Sequence, residues 1–513
     1  LQKGASIHTL VVTMRVRVII LVGFVFILSG QVGANAQSAL KLANVLQSNM
    51  VMQQGKQLRL WGTAKPNDVI KINADWTDKV TTAHADEKGN WIGEIKVPKA
   101  MPGDFKPHTM VIIDGNDNIK LSNLLIGDVW FCVGQSNMDM PVTAVPILTY
   151  RGVLNYQDEI ADANFPAIRI YKAAADFKIE PVPDTKGEWK VCSPQTIGDF
   201  SGVAYFFGRE LFLKLNIPIG LVEAAAAGAS TQAFTKKEIL ESDTLLRHPY
   251  LDPFMNMFQS QAHVDSMGFF TKVTKPSLLY NALIYPTLNL SIKGVAYYQG
   301  ESNVADKRET YIPLFTAMVA DWRKDFKQGD FPFYYVQIAP YLEGNDSTKY
   351  GTALFRETQQ ELLKIKNTGM TVTMDVGETR SVHPRDKRSV GERLAYIALN
   401  KTYGLHGVDY QGPQISHFRV DGNVVTLFFK ADGVKPGLTT KDGKAPRHFY
   451  VAGYDHIFYP ADAKIVGDNV VLGSEHVDKP VAVRYAFTDG PVTNFENKDG
   501  LPALPFRTDE WKK

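Results

Sequence analysis

The sequence predicts an α/β protein: a doubly wound parallel sheet flanked by N- and C-terminal β-sandwich-like domains. Three observations carry the prediction. From residue 123 to 408, apolar strand-like runs alternate with segments of helical periodicity, the pattern of a parallel sheet with crossover helices. Residues 37–122 instead show short alternating segments broken by turn clusters, as small β-sandwiches do. From residue 409 to 513 short strand-like segments return, again separated by Gly- and Asp-containing turns.

The first residues stand outside that scheme. Met14-Arg15-Val16-Arg17 is basic, residues 18–28 are an almost unbroken apolar run, and Ala34-Asn35-Ala36 is a small-residue cleavage site. Residues 1–36 therefore read as a secretory signal peptide, with Met14 a candidate start. The apolar run is too short to span a bilayer comfortably. The expectation is an exported protein, periplasmic or secreted, without a stable membrane span.

In the N-terminal β domain, residues 69–74 and 91–97 alternate apolar and polar side chains, and residues 109–113 are rich in β-formers. Asp86-Glu87-Lys88-Gly89-Asn90 and Asp114-Gly115-Asn116-Asp117 supply the turns between them. In the α/β region, residues 129–133, 219–222, 294–298, 333–339 and 370–376 read as strands. Residues 201–212, 355–364 and 384–400 read as helices, the last ending near Gly404. Pro313 reads as a helix start, followed at helical spacing by Phe315, Val319, Trp322 and Phe326. Residues 142–190 and 240–275 fit the alternation poorly. They read as insertions or lid-like loops, with Trp189 and Phe234 as candidate walls of a site.

Composition narrows the function classes. The 513 residues are 44% hydrophobic and 21% charged, with a net charge of +2. Lys3, Arg15 and Arg17 stand in residues 1–36 without an acid, so the remainder is close to neutral. Nothing there favours nucleic acid or an anionic membrane as partner. Cys132 lies inside an apolar strand, so it and Cys192 read as buried thiols. The eleven His are scattered and form no Cys/His cluster with metal-ligand spacing. No metal or cofactor is expected.

The chemistry concentrates at strand tips. The apolar run 129–133 stops at Gly134, and Gln135-Ser136-Asn137-Met138 follows at once. A Ser at the carboxyl end of a buried strand, before a helix, sits where open α/β sheets place nucleophiles. A Ser N-cap would produce the same pattern. In Leu221-Val222-Glu223-Ala224-Ala225-Ala226-Ala227-Gly228-Ala229-Ser230, a strand leads into small residues, and Gly228 can offer its N–H to an oxyanion. Tyr297-Tyr298-Gln299-Gly300-Glu301-Ser302-Asn303 ends a strand in polar residues. There Asn303 can donate to the same oxyanion, while Gln299 and Glu301 can orient it or touch substrate. In Ser381-Val382-His383-Pro384-Arg385-Asp386-Lys387, His383 precedes a helix start and can serve as base to a serine.

Taken together, these stretches resemble the SGNH hydrolase superfamily and, within it, the sialate O-acetylesterase family. Gly134-Gln135-Ser136-Asn137-Met138 looks like the nucleophile motif. Tyr298-Gln299-Gly300-Glu301-Ser302-Asn303 resembles the motif of the oxyanion Asn. Val382-His383-Pro384-Arg385-Asp386-Lys387, with Gly391-Glu392-Arg393-Leu394-Ala395, resembles the His segment. Residues 480–485 and 500–507 also read like the family's C-terminus. The resemblance implies Ser136 as nucleophile, His383 as base, and an oxyanion hole of the Ser136 and Gly228 N–H groups with the Asn303 side chain. Two positions depart from it. Ser381 stands where the family has an Asp, and Ala226-Ala227-Gly228-Ala229 replaces a Trp-Gly-Gly-Thr stretch. A backbone carbonyl, Asp375, Glu378 or Asp386 could take over the missing acid's role.

The resemblance implies an exported carbohydrate O-acetylesterase acting on sialic acids acetylated at the 9-position. The same scaffold would serve acetylated xylan or xyloglucan. A sialate carboxylate calls for a cation, and Arg356, Arg380 and Arg385 are the candidates by position. The lost acid at 381 raises a third reading, a catalytically degenerate glycan-binding protein.

Overall fold

Strand Asp117–Gly134, eighteen residues long, organises the molecule. It is seen here in a computed structural model that describes residues 40–342 and 349–511. Its first half pairs antiparallel with His108–Asp114, and Leu125 to Gly127 pair parallel with Val51–Gln53. Its second half pairs parallel with Ile219–Ala225 on one side and Gly294–Tyr298 on the other. Residues 122 and 123, between which the sequence reading changes from β to α/β, both lie inside this strand.

The parallel strands run in the order Phe165–Lys172, Ile219–Ala225, Asp117–Gly134, Gly294–Tyr298, Phe333–Val336, Thr368–Thr371. Trp189–Cys192 closes the outer edge antiparallel. Alternation along the central strand sends Val129, Phe131 and Val133 into one core and Trp130 and Cys132 into another. A strand buried on both faces reads as a continuous apolar run for this reason. Helices Gly202–Leu215 and Lys387–Lys401 cover the Trp130 face through Val203, Phe207, Val390, Leu394 and Ile397. Their crossing is close: a Cβ on Gly391 would sit 2.7 Å from the Val203 carbonyl oxygen. Helix Arg308–Phe326 covers the opposite face through Phe315, Val319 and Trp322. The sheet is thus wound on both faces. The chain leaves Asp117–Gly134 for Phe165–Lys172, returns inward to Ile219–Ala225, then crosses to Gly294–Tyr298 on the other side. That reversal leaves a crevice at the carboxyl ends of the 117–134 and 294–298 strands.

Several local expectations need correction. Residues 142–190 are not only loops, because Phe165–Lys172 joins the sheet as a parallel strand. Trp189 and Phe234 wall no site. Both are buried, with Trp189 Nε1 donating to the Val45 carbonyl at 2.8 Å and the Phe234 carbonyl accepting from Trp322 Nε1 at 3.1 Å. Pro313 lies inside its helix rather than at the start. The helix after His383 begins at Lys387, because Asp386 caps it by accepting the Ser389 N–H at 3.0 Å. Cys132 and Cys192 are free and buried, as the sequence suggests.

Apart from the parallel Val51–Gln53 pairing, the β-rich flanks are antiparallel. The C-terminal region contains two four-stranded sheets, one ordered Ile415–Asp421, Val424–Phe429, Asn469–Gly473, Asp462–Val466. The other centres on Phe449–Ala452 and Ala482–Tyr485. Among the described residues, no helix is long and apolar enough to cross a membrane. Residues 1–36, expected from the sequence to be a signal peptide, lie outside the described residues.

Candidate active site

The central strand delivers Ser136 to the crevice. Gly134 allows the strand end to press against its neighbour: a Cβ there would lie 2.1 Å from the Tyr298 carbonyl oxygen. The Gln135 N–H donates to that same carbonyl at 3.0 Å. Ser136 then opens the short helix Ser136–Asp139 and is 6% exposed. The Gln135 side-chain oxygen accepts from Gln299 Nε2 at 3.1 Å and from the Gly300 and Ser302 N–H groups at 3.2 Å. The serine turn and the 299–303 turn are therefore one hydrogen-bonded unit. Among the described residues, neither the Ser136 hydroxyl nor the N–H groups of Ser136 and Gly228 form a hydrogen bond. Gly228 sits at φ +78°, a conformation glycine adopts without strain.

Asn303 is placed differently from its expected role. Its Nδ2 donates to Gln232 Oε1 at 3.0 Å and to Asp306 Oδ2 at 2.8 Å. Its Oδ1 accepts from the Thr231 N–H at 3.0 Å and from Gln299 Nε2 at 2.7 Å. Both of its N–H donors are committed, so it would have to release one to reach an oxyanion.

His383 lies on the loop before helix Lys387–Lys401 and meets the edge of Tyr150, with ring centroids 4.9 Å apart. Ser381 braces the backbone, its hydroxyl accepting the His383 N–H and donating to the His383 carbonyl, both at 3.2 Å. None of the three acids near in sequence reaches the ring. Asp375 forms a buried pair with Arg393, at 2.7 and 2.8 Å, and is joined by Lys441 at 3.2 Å. Glu378 pairs with Arg151 and accepts the Arg385 N–H at 2.9 Å. Asp386 is the helix cap. The imidazole is thus without a carboxylate partner among the described residues. Burial, helped by the Lys387 cation, lowers its pKa to about 4.

Asn137 ties the two halves together. Its Nδ2 donates to the Val382 carbonyl at 2.9 Å and to Glu301 Oε1 at 2.6 Å, and its Oδ1 accepts from Lys387 Nζ at 2.5 Å. Lys387 is fully buried, its ammonium 5.4 Å from the Tyr298 ring centre. Burial pulls its pKa down to about 7 against the pull of Glu301 and Asp386. Burial also raises the Glu301 carboxyl.

Beside His383 opens a cleft of about 800 Å³, lined by Tyr150, Arg151, Tyr156, Tyr341, Arg380 and His383. This volume is within the range of small-molecule sites, roughly 300–1,000 Å³.

Residues 126–400 match the carbohydrate esterases described as sialic acid-specific acetylesterases. The chain belongs to that family. The sialate O-acetylesterase of Mus musculus is 27% identical, across 94% of this chain and 97% of that protein. That of Homo sapiens is 27% identical, across 91% and 92%. A crystal structure of a carbohydrate acetylesterase from Xanthomonas citri is 32% identical and superimposes with a TM-score of 0.79, covering 92% of this chain and 100% of that one. This chain is accordingly a carboxylic ester hydrolase and, as a member of that esterase family, fits an acetylated carbohydrate substrate.

Within this sialic acid-specific acetylesterase fold, the three candidate arginines part ways. Arg356 is fully buried and donates to the Thr488 and Asp489 carbonyls, fastening the C-terminal region. Arg385 donates to the Gly152 and Val153 carbonyls at 3.1 and 3.3 Å. Arg380 is exposed and borders the cleft. Lys387 and the bridging role of Asn137 escaped sequence reasoning. A usable signal was present, since a Lys at the first position of a helix opposes the helix dipole and asks for a local reason.

Proposed function

We propose that this chain is an exported O-acetylesterase that removes 9-O-type acetyl groups from sialic acid through a Ser136 acyl-enzyme, with His383 as general base. The observation that carries the reading is the Asn137 bridge to the Val382 carbonyl at 2.9 Å, which docks the serine turn onto the histidine loop. Ser136 Oγ attacks the acetyl carbonyl and His383 takes its proton. The uncommitted N–H groups of Ser136 and Gly228 receive the oxyanion. Asn303 joins them on releasing Gln232 or Asp306. His383 returns its proton to the departing sugar oxygen, then deprotonates the water that frees acetate. Export is assigned to the basic-apolar-small pattern of residues 14–36.

Arg380 is the cation offered to the sialate carboxylate. Arg380→Ala is expected to raise KM for 9-O-acetylated sialic acid roughly tenfold, leaving kcat and the KM for acetylated xylan unchanged. A KM for sialate within twofold of the parent removes Arg380 from recognition. The breadth of the cleft, about 800 Å³, favours a second reading, an acetylated plant polysaccharide such as xylan or xyloglucan. Acetate release from both substrates, with Ser136→Ala as blank, separates the two.

The pH profile tests His383. A base must be neutral to accept a proton, and its lowered pKa keeps the ring neutral down to about 4. The acid limb of kcat/KM is therefore expected near pH 4 rather than near the ordinary 6.5. A limb at 6.5 would mean that the ring is solvated in the free enzyme.

A further inference from the structure

We propose that Lys387 is a positioning residue for the Ser136–His383 pair, acting through the Asn137 carboxamide. The inference rests on the reading of those two residues as nucleophile and base. A backbone carbonyl can only accept, and the Lys387 amino group carries N–H donors whether charged or neutral. Lys387 Nζ at 2.5 Å and the Val382 carbonyl at 2.9 Å therefore leave Asn137 a single orientation, oxygen toward Lys387 and nitrogen toward Val382. Glu301 Oε1, 2.6 Å from the same nitrogen, reinforces it. The consequence reaches both reacting groups. Asn137 follows Ser136 on the same helical turn, and Val382 precedes His383.

Two further features give the link weight. No carboxylate reaches the His383 ring among the described residues, so the usual means of holding the imidazole is missing. A cation buried at the first position of helix Lys387–Lys401 also opposes the helix dipole. What Lys387 gains there is the Asn137 oxygen, the Tyr298 ring face at 5.4 Å and the proximity of Glu301. The helix is well anchored on the sheet, so Lys387 transmits a fixed reference point to the strand tip.

The test is a double-mutant cycle on the full chain, with kcat and KM measured on an acetyl ester and near-UV circular dichroism confirming the fold. Lys387→Met keeps the stem and removes the donor, while Asn137→Ala removes the bridge and keeps the cation. Each is expected to lower kcat about a hundredfold, the scale of a 1 Å misplacement, with KM within about threefold. The double variant is expected to be no slower than the slower single. A kcat within threefold of the parent in either folded variant overturns the proposal. So do losses that multiply in the double variant, or a loss carried by KM. Should Lys387→Met fail to fold, Asn137→Ala alone decides by the same kcat criterion. Ser136→Ala runs alongside. Activity in that variant would remove the Ser–His reading itself, whereas an inert Ser136→Ala with an active Lys387→Met removes only the role of Lys387.

Discussion

Ser136→Ala is expected to lower kcat for acetate release by about 10⁶, the scale seen when an acyl-transfer serine is removed from an intact site. The fold should not register the change. Among the described residues the Ser136 hydroxyl holds no hydrogen bond, and the turn around it is fixed by Gln135 and by backbone. The urea midpoint of the variant should therefore match that of the parent. Turnover near the parental rate would transfer the chemistry away from the 134–138 turn. A collapse of the urea midpoint would make the hydroxyl a structural group.

The second large effect is on stability. Asp375→Asn leaves Arg393 buried without its counter-charge, and breaking such a pair from one side costs about 3–5 kcal/mol. Burial works against the Asp375 carboxylate, yet Arg393 and Lys441 hold its pKa below the ordinary 3.8. Arg393 also donates to the Gly500 carbonyl at 3.1 Å, so the loss extends to the contact between the α/β layer and the C-terminal β region. The expected result is a marked fall in urea midpoint, with kcat of the folded variant within threefold of the parent. Sequence alone leaves Asp375 open as the acid behind His383. If it held that role, the signature would invert, with kcat falling about 10⁴-fold and the urea midpoint little changed.

The legible and illegible parts of the sequence divide by range. The place of Ser136 at a strand tip could be read because its signal is local: an apolar run, a glycine, then polar residues. The parallel sheet could be read because strands buried on both faces leave continuous apolar stretches. Phe165–Lys172 was hidden by Pro166 at its second position and by its place in a long stretch with no helix of ordinary length. The extra turn ahead of Pro313 was hidden because proline is tolerated near helix starts. The commitments of Asn303, Asp375 and Lys387 were out of reach for a different reason. Each depends on which polar group arrives from elsewhere in the fold, and Lys387 and Asn137 are 250 positions apart. Composition and spacing carry no record of such encounters. Joint occurrence of the motifs pointed to the same residues without revealing their partners.

The long strand also bears on how freely the pieces of this chain can be exchanged. Gln53, from the N-terminal region, donates to Asp128 Oδ1 at 2.6 Å and accepts the Val129 N–H at 2.9 Å, just upstream of the serine turn. A fragment cut at residue 123 would lose those contacts and begin midway along its own central strand, with one edge of the remainder unpaired. The α/β layer is therefore not a portable cassette. The serine turn is inherited together with the β-rich region before it, because the two share one strand and the Gln53 contacts.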